Sequence, residues 1–267
     1  MSKCQPFLNW AGGKRWLAAK KLSFFPSSYA TYYEPFLGSG AIFFTLLPTN
    51  AVLSDTNLEL ILTYRAIKSD WRAVLSHLQE HEKRHCKDYY YGIRRQIPED
   101  NYRKAARFIY LNRTCWNGLF RVNKKGQFNV PIGTKTKVLR SEDDFELIAA
   151  RLRHCRLLYS DFEDVIELAG RDDLVYVDPP YTISHSDNGF IKYNEKLFDW
   201  EDQVRLRDAL MRARSRGAKV VVSNAYHQSI KQLYDGLFTL VELSRFSRIS
   251  GKNSGRKAGQ EYLILGV

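Results

Sequence analysis

The chain has 267 residues, with 41 Lys and Arg against 29 Asp and Glu, a formal net charge of +12; that length holds one large domain or two modest ones. Hydrophobic residues at 44% and aromatics at 13% support a packed core and exclude wholesale disorder. No apolar run nears the roughly 18 residues of a membrane span, the opening MSKCQPFLNW lacks a signal-peptide core, and Cys4, Cys86, Cys115 and Cys155 form neither a CxxC pair nor a zinc set, so a membrane protein, a disulfide scaffold and a structural zinc site are excluded and a reducing, cytoplasmic setting is expected.

In chain order, an opening loop precedes a short strand at Tyr32–Glu34 that runs into Pro35-Phe-Leu-Gly-Ser-Gly40. A helix is predicted at Ala41–Leu47, an apolar strand at Ala51–Ser54 ending at Asp55, and a further helix from about Leu58. This β-loop-α-β unit has the form of a nucleotide-binding half-fold. From Leu58 to Ser141 the pattern turns helical and basic, with a loop rich in Gly and Asn from Asn117 to Gly133. Strand signals return at Arg156–Ser160, Leu174–Val177 and Val220–Ser223, and helices are predicted at Asp143–Arg153 and Trp200–Arg216. Two last strand-like runs, Leu237–Phe246 and Tyr262–Val267, predict a hairpin around an Arg/Lys/Gly segment. No internal repeat, low-complexity stretch or Pro/Gly/Ser linker interrupts this order. The economical reading is an α/β sheet with a helical basic insertion.

The charge is localised. Lys83 to Arg140 holds fifteen Lys and Arg against Asp88, Glu99 and Asp100, a net of +12, which leaves 26 basic and 26 acidic groups elsewhere. A smaller run, Arg245 to Lys257, carries five basic residues and no acid. The larger segment interleaves aromatics and amides, as in Asn112-Arg-Thr-Cys-Trp-Asn-Gly-Leu-Phe-Arg121. Lys and Arg neutralise phosphates, aromatic faces stack on or wedge between bases, and Asn or Arg read base edges, so nucleic acid is the expected partner. A solvated basic surface over a helical aromatic core is the plainer alternative.

Two short motifs fall where a site belongs. Phe36-Leu-Gly-Ser-Gly40 carries only the first two glycines of a dinucleotide fingerprint, because the third position is Phe43. Its glycines still let backbone approach a ligand closely. Asp55, at the end of the next strand, can hold two ribose hydroxyls or cap the following helix. Asp178-Pro-Pro-Tyr181 directly follows the apolar run Leu174–Val177. Two prolines cannot continue a central strand and fix a rigid turn at its carboxyl end, where α/β sheets gather ligand sites.

Taken in order, Phe7-Leu-Asn-Trp-Ala-Gly-Gly-Lys-Arg15, Phe36–Gly40, Asp55, the basic segment and Asp178–Tyr181 resemble the Dam-type (DPPY, D12 class) DNA adenine methyltransferases over nearly the whole chain. The run from Asn117 to Gly133 is similar to that family's recognition loop. The resemblance implies a Rossmann-like S-adenosylmethionine-dependent sheet, a catalytic domain at 1–57 and 142–267, and a helical target-recognition domain at 58–141 that acts on duplex DNA. It implies S-adenosylhomocysteine as product and no metal. Nothing in the chain marks a self-association surface, so a monomer is the default expectation. The Asp178 carboxylate and a backbone carbonyl of the turn, at Pro179, would accept the hydrogens of a flipped adenine's amino group. Pro180 completes the rigid turn, and Tyr181 would stack on the base. Trp10, Lys14, Phe36, Gly38, Gly40 and Asp55 would hold the methyl donor, with Asp161 and Phe162 at its adenine. Asn9, Arg113, Trp116, Asn117, Leu119, Arg121, Asn123, Lys135 and Lys137 are expected on DNA. Trp116 would wedge into the stack, and Arg121 would pair bidentately with a guanine 3′ of the target adenine.

The residues alone leave other roles open: Trp10 in a core, Lys14 as a surface charge, Asp161 as a helix cap, Trp116 and Leu119 in a helix-loop core. The chain also departs from the family. GATC-specific relatives carry Lys where this chain has Asn9, and aromatic or Arg residues where it has Thr134-Lys135-Thr136-Lys137. The expectation is a GATC-like target with readout retained 3′ of the adenine and altered or relaxed 5′ of it. Methylation of cytosine or RNA adenine, a catalytically silent DNA-binding regulator and a nicotinamide dehydrogenase are the competing functions. Asp rather than Ser at 178 disfavours cytosine, the intact motifs disfavour a silent regulator, and the missing third glycine disfavours a dehydrogenase.

Overall fold

The computed structural model describes residues 4–10, 12–20, 22–123, 125–182, 198–246 and 258–266. Among them the strands are β1 (Tyr32–Glu34), β2 (Ala51–Asp55), β3 (Cys155–Tyr159), β4 (Leu174–Val177), β5 (Lys219–Ala225), β6 (Thr239–Phe246) and β7 (Ala258–Gly266). They form one seven-stranded sheet in the order β3-β2-β1-β4-β5-β7-β6. The helices are α1 (Arg15–Lys20), α2 (Phe43–Leu46), α3 (Leu58–Arg84), α4 (Lys87–Arg95), α5 (Asn101–Thr114), α6 (Phe145–Leu152), α7 (Phe162–Ile166), α8 (Trp200–Ser215) and α9 (Gln228–Tyr234). The chain divides into two compact units, one of residues 1–20, 37–49 and 55–159, the other of residues 21–36, 50–54 and 160–267. These limits differ from the expected division at 57/58 and 141/142, because the opening segment, the glycine loop, α6 and β3 group with the helical insertion.

In the second unit β1 pairs in parallel with β2 on one side (Tyr32 with Ala51) and with β4 on the other (Tyr32 with Leu174), and β4 continues in parallel to β5 (Leu174 with Lys219). β4 is buried along its whole length and Val220, Val221 and Val222 of β5 are fully buried, as continuous apolar runs in a parallel sheet require. The chain leaves β1 toward β2 and returns to β4 on the opposite side. A crevice beyond the carboxyl ends of β1 and β4 is the default ligand site of such a sheet. β7 runs antiparallel between β5 and β6, with Thr239 opposite Leu265 and Phe246 opposite Ala258, so the expected terminal hairpin forms. α8 begins in a capping box, Asp199 and Asp202 each accepting from the other's backbone N–H.

The first unit is built on α3 packed against α5, with α6 and β3 also against α3. Leu60, Ile61, Tyr64, Ile67, Val74 and Leu78 of α3 meet a core that includes Ala106, Ile109 and Tyr110 of α5, all buried. Asp70 interrupts α3 at φ −149°, ψ 89°; its carboxylate accepts from Arg72 and Ala73 N–H and so caps the second half. Arg65 and Lys68, one turn apart on α3, donate to the carbonyls of Leu157 (2.6 Å) and Cys155 (2.7 Å) on β3. They occupy acceptors that an edge strand would otherwise present to another chain. The predicted basic insertion thus resolves into α3, α4 and α5, and among the described residues no helix is long and apolar enough to cross a membrane.

Candidate active site

The glycine loop of the first unit is held by a carboxylate. Asp55 Oδ2 accepts from the Gly38 N–H (3.0 Å) and Oδ1 from the Asn57 N–H (2.9 Å), while Asn57 caps α3 through Leu60 N–H. Burial pushes the Asp55 carboxyl up to about 6, outweighing the backbone N–H groups that stabilise its charge. Gly38 and Gly40 take φ of +47° and +66°. A Cβ on Gly38 would lie 2.7 Å from Trp10 Nε1, so the glycine is needed for both the turn and the indole against it. Trp10 stacks on Phe120 at 6.3 Å between ring centroids, and the Tyr64 hydroxyl donates to Gly38 O at 3.2 Å. Lys14 is buried, with Nζ 3.2 Å from Gly12 O, which is not the setting of a surface charge. Trp10, Gly38 and Asp55 are therefore joined in one cluster, with Gly40 in the same loop and Lys14 four residues beyond Trp10.

In the second unit Phe36 stacks on Phe162 (5.4 Å between centroids, 23° between planes), and both rings lie 5.6 Å from Phe198. The Arg205 guanidinium lies 4.3 Å over the Phe162 ring and chelates Asp161 at 2.8 and 3.1 Å. Asp161 also caps α7 by accepting from Glu163 N–H. The carboxylate of Asp161 is thus a cap and an ion-pair partner, and it fixes Phe162, the first residue of the helix.

Asp178-Pro-Pro-Tyr181 follows β4 directly, with Asp178 and Tyr181 half-buried and Pro179 buried. A relay of buried polar groups anchors the end of this turn. Thr182 Oγ1 donates to Phe198 O (2.6 Å), Gln203 Nε2 to Thr182 O (3.4 Å), and Asn224 Nδ2 to Gln203 Oε1 (3.1 Å). Behind it, the Tyr176 hydroxyl meets Ser223 Oγ at 3.1 Å. Tyr181 bonds to Glu261 of β7, and burial together with the charges of Asp178 and Glu261 holds its phenol well above the usual tyrosine range. Asp178 and Tyr181 are so presented on a turn fixed by proline rings on one side and a hydrogen-bonded relay on the other.

The expected DNA-contacting residues lie in the first unit and divide sharply. Trp116 is 52% exposed, Asn117 is exposed with φ +53°, Leu119 is half-buried, and Arg121, Lys135 and Lys137 are exposed. Arg121 Nε donates to Asn129 Oδ1 at 2.9 Å, which leaves the rest of its guanidinium facing outward. Arg113 is corrected. Its side chain is fully buried, chelates Asp143 (2.5 and 2.7 Å) and donates to Phe7 O and Val138 O, so every guanidinium nitrogen is used inside the unit. Half-buried Asn123 orders its own loop: its Oδ1 accepts from Lys125 and Gln127 N–H and its Nδ2 donates to Gln127, across the Val122–Phe128 bridge. Asn9 spends its carboxamide on Asn112 O (3.4 Å) and Arg140 (2.8 Å) rather than presenting it outward. The +12 segment is likewise not all surface. Arg107 is buried and satisfies the Ile93 and Arg94 carbonyls at the end of α4.

Thr182, Phe198, Gln203, Arg205, Asn224 and Glu261 shape the site and were not anticipated. Gln203 on a buried helix face and Asn224 at the end of an apolar strand are the signals that a pattern reading could have used, since a polar group buried without a partner costs free energy. Of the second basic run, residues 247–257 lie outside the described residues. The four cysteines are free thiols, and no His/Cys/Asp/Glu cluster able to hold a metal occurs among the described residues.

Comparison with known proteins accords with this geometry. The model of the D12 class N6 adenine-specific DNA methyltransferases matches residues 10–249. The type II methyltransferase M1.LlaDCHI of Lactococcus lactis subsp. cremoris is 35% identical over 97% of this chain and 94% of its own length. The type II methyltransferase M.MjaIII of Methanocaldococcus jannaschii is 34% identical over 98% of each chain, and the DNA adenine methylase of Vibrio cholerae is 31% identical over 99% of this chain and 97% of its own. A parallel sheet with a DPPY turn after β4, a glycine loop tied to Asp55 and full-length relatives of one kind lead to one assignment: the chain belongs to the D12 class of N6 adenine-specific DNA methyltransferases.

Proposed function

We propose that the protein methylates the exocyclic amino group of an adenine flipped out of duplex DNA, at a GATC-like site whose readout is altered or relaxed 5′ of the adenine. The observation that carries this reading is the half-buried Asp178 carboxylate at the carboxyl end of β4, held by the Pro-Pro turn and the Thr182–Gln203–Asn224 relay. The amino nitrogen of adenine is a poor nucleophile because its lone pair is delocalised into the ring. Asp178 and the Pro179 carbonyl accept its two hydrogens, which restores lone-pair character and aims the nitrogen. Pro180 keeps the turn rigid, and Tyr181 stacks on the flipped base, its ring steadied by the bond to Glu261.

S-Adenosylmethionine, when bound, supplies an electrophilic methyl on a sulfonium. The residues fit such a nucleoside: Gly38 has no room for a Cβ beside Trp10, and the Asp55 carboxylate, raised by burial, keeps acceptor capacity for vicinal hydroxyls beyond its bonds to the Gly38, Thr56 and Asn57 backbone. The family resemblance implies that Trp10, Lys14, Phe36, Gly38, Gly40 and Asp55 would hold it, with Asp161 and Phe162 at its adenine. On the DNA side, exposed Trp116 wedges into the stack, Asn117 fills the space left by the flipped base, and Leu119 and Arg121 read the 3′ bases. Exposed Lys135 and Lys137 meet phosphate. Relatives named DNA adenine methylase lend support. The test is Asp178→Ala: methyl transfer falls by at least a thousandfold while duplex affinity changes less than about threefold. Near-wild-type turnover would mean that Asp178 lies outside the chemistry.

A further inference from the structure

We infer that Arg140 is a DNA-contacting residue whose guanidinium is aimed by Asn9, so that this pair sets part of the target readout; the inference rests on the reading that the Trp116–Arg121 turn meets the duplex. The geometry starts at Asn9. Its backbone N–H donates to Asn112 Oδ1 and its carbonyl accepts from Asn112 Nδ2, both at 2.8 Å. Asn112 is buried at the end of α5, so this reciprocal pair fixes the opening segment as a strand ladder would. A Cβ on Gly118 would collide with the Asn9 Cβ, so Asn9 is also seated directly on the turn that follows the exposed Trp116. From that seat its Oδ1 accepts from Arg140 Nη2 at 2.8 Å.

Arg140 differs from the other arginines gathered here. Arg113 and Arg107 use their donors on carbonyls and a carboxylate. Among the described residues the Arg140 guanidinium makes one hydrogen bond, to a neutral amide, out of the five donors a guanidinium carries. Its backbone N–H is held by Asp143, but that carboxylate is already chelated by Arg113. Partial burial and the nearby cations Arg113 and Arg15 bring the Arg140 pKa down to about 10, against a smaller favourable effect of Asp143 and Glu142. A half-buried guanidinium with a neutral anchor and two like-charged neighbours is under-compensated. Acceptor atoms of a ligand relieve it, and its planar fork suits two acceptors side by side. In duplex DNA those acceptors are the O6 and N7 of a guanine or the oxygens of a phosphate.

The experiment uses the full chain and its Arg140→Ala, Arg140→Lys, Asn9→Ala and Asn9→Ala/Arg140→Ala variants. Each is assayed for kcat/KM on duplexes bearing the preferred site and every single base-pair substitution of it. Donor affinity without DNA and Tm are measured in parallel. Wild type failing to methylate adenine in any duplex would defeat the underlying reading, not this inference. The expected result is an Arg140→Ala loss of about 5- to 150-fold on the preferred site, with donor affinity and Tm kept and the double variant matching Arg140→Ala. A guanine contact confines the loss to one base pair, whose substitutions then become equivalent, and Arg140→Lys does not rescue it. A phosphate contact gives a uniform loss that Arg140→Lys rescues, with a salt slope shallower by about one. Wild-type kcat/KM on every duplex in Arg140→Ala, or losses in Arg140→Ala and Arg140→Lys that merely track Tm and donor affinity, would overturn the inference.

Discussion

If Asp55 holds the donor ribose as proposed, donor binding should depend on pH in a way that follows from the surroundings of this carboxylate. Its two oxygens accept from Gly38 and Asn57 N–H, yet burial raises the carboxyl from an ordinary 3.8 to about 6. A carboxyl raised in the folded state favours its protonated form. Its contribution to stability is complete below about pH 4 and is lost as pH rises through about 6. The displacement from 3.8 to about 6 corresponds to about 3 kcal/mol, the cost of keeping the charged form at neutral pH. Hydroxyl donors on a bound ribose recover part of that cost, so binding should release a proton in mildly acidic buffer. A group titrating at about 6 is about one-tenth ionised at pH 5 and nine-tenths at pH 7. The affinity for S-adenosylmethionine should therefore be about tenfold weaker at pH 5 than at pH 7. Titration calorimetry in buffers of different ionisation enthalpy reads both the affinity and the proton. Asp55→Asn should weaken binding and flatten the profile. A flat wild-type profile, or an unchanged profile in Asp55→Asn, would refute the role given to this carboxylate.

Two further substitutions separate the loop from the scaffold. Gly38→Ala forces a side chain into φ +47° and puts its Cβ 2.7 Å from Trp10 Nε1. Stability should fall by about 1–2 kcal/mol in urea titrations, and donor affinity by at least tenfold, with a change in tryptophan emission as the indole is displaced. Arg113→Ala strands the Asp143 carboxylate, which is only 8% exposed, and should cost about 3–5 kcal/mol in chemical denaturation. Arg121→Ala, exposed on the recognition turn, should leave stability within about 0.5 kcal/mol and instead lower kcat/KM on the preferred site.

The sheet was legible because its strands are short, continuously apolar and bounded by turn residues. Leu174–Val177 and Tyr32–Glu34 fall where the pattern places them, and so do the 200s helix and the terminal hairpin. The turns at Phe36–Gly40 and Asp178–Tyr181 were legible for the same reason, since glycines and prolines declare backbone geometry directly. Arginine was misread. A basic residue on an aromatic-rich helix looks the same in sequence whether it faces phosphate or, as Arg113 and Arg107 do, turns inward to carbonyls and carboxylates distant in the chain. Phe198, Gln203 and Arg205 escaped notice because their partners, Phe36, Asn224 and Asp161, lie between 21 and 162 residues away. No local window contains such pairs.

The most direct measurement is methylation-sensitive sequencing of DNA from a methylase-free host that expresses this chain. The account predicts N6-methyladenine at adenines within a GATC-like context, with the 3′ bases fixed and the base 5′ of the adenine varied. Strict GATC methylation with near neighbours untouched would contradict the altered 5′ readout, and methylated cytosine without methylated adenine would contradict the chemistry assigned to Asp178.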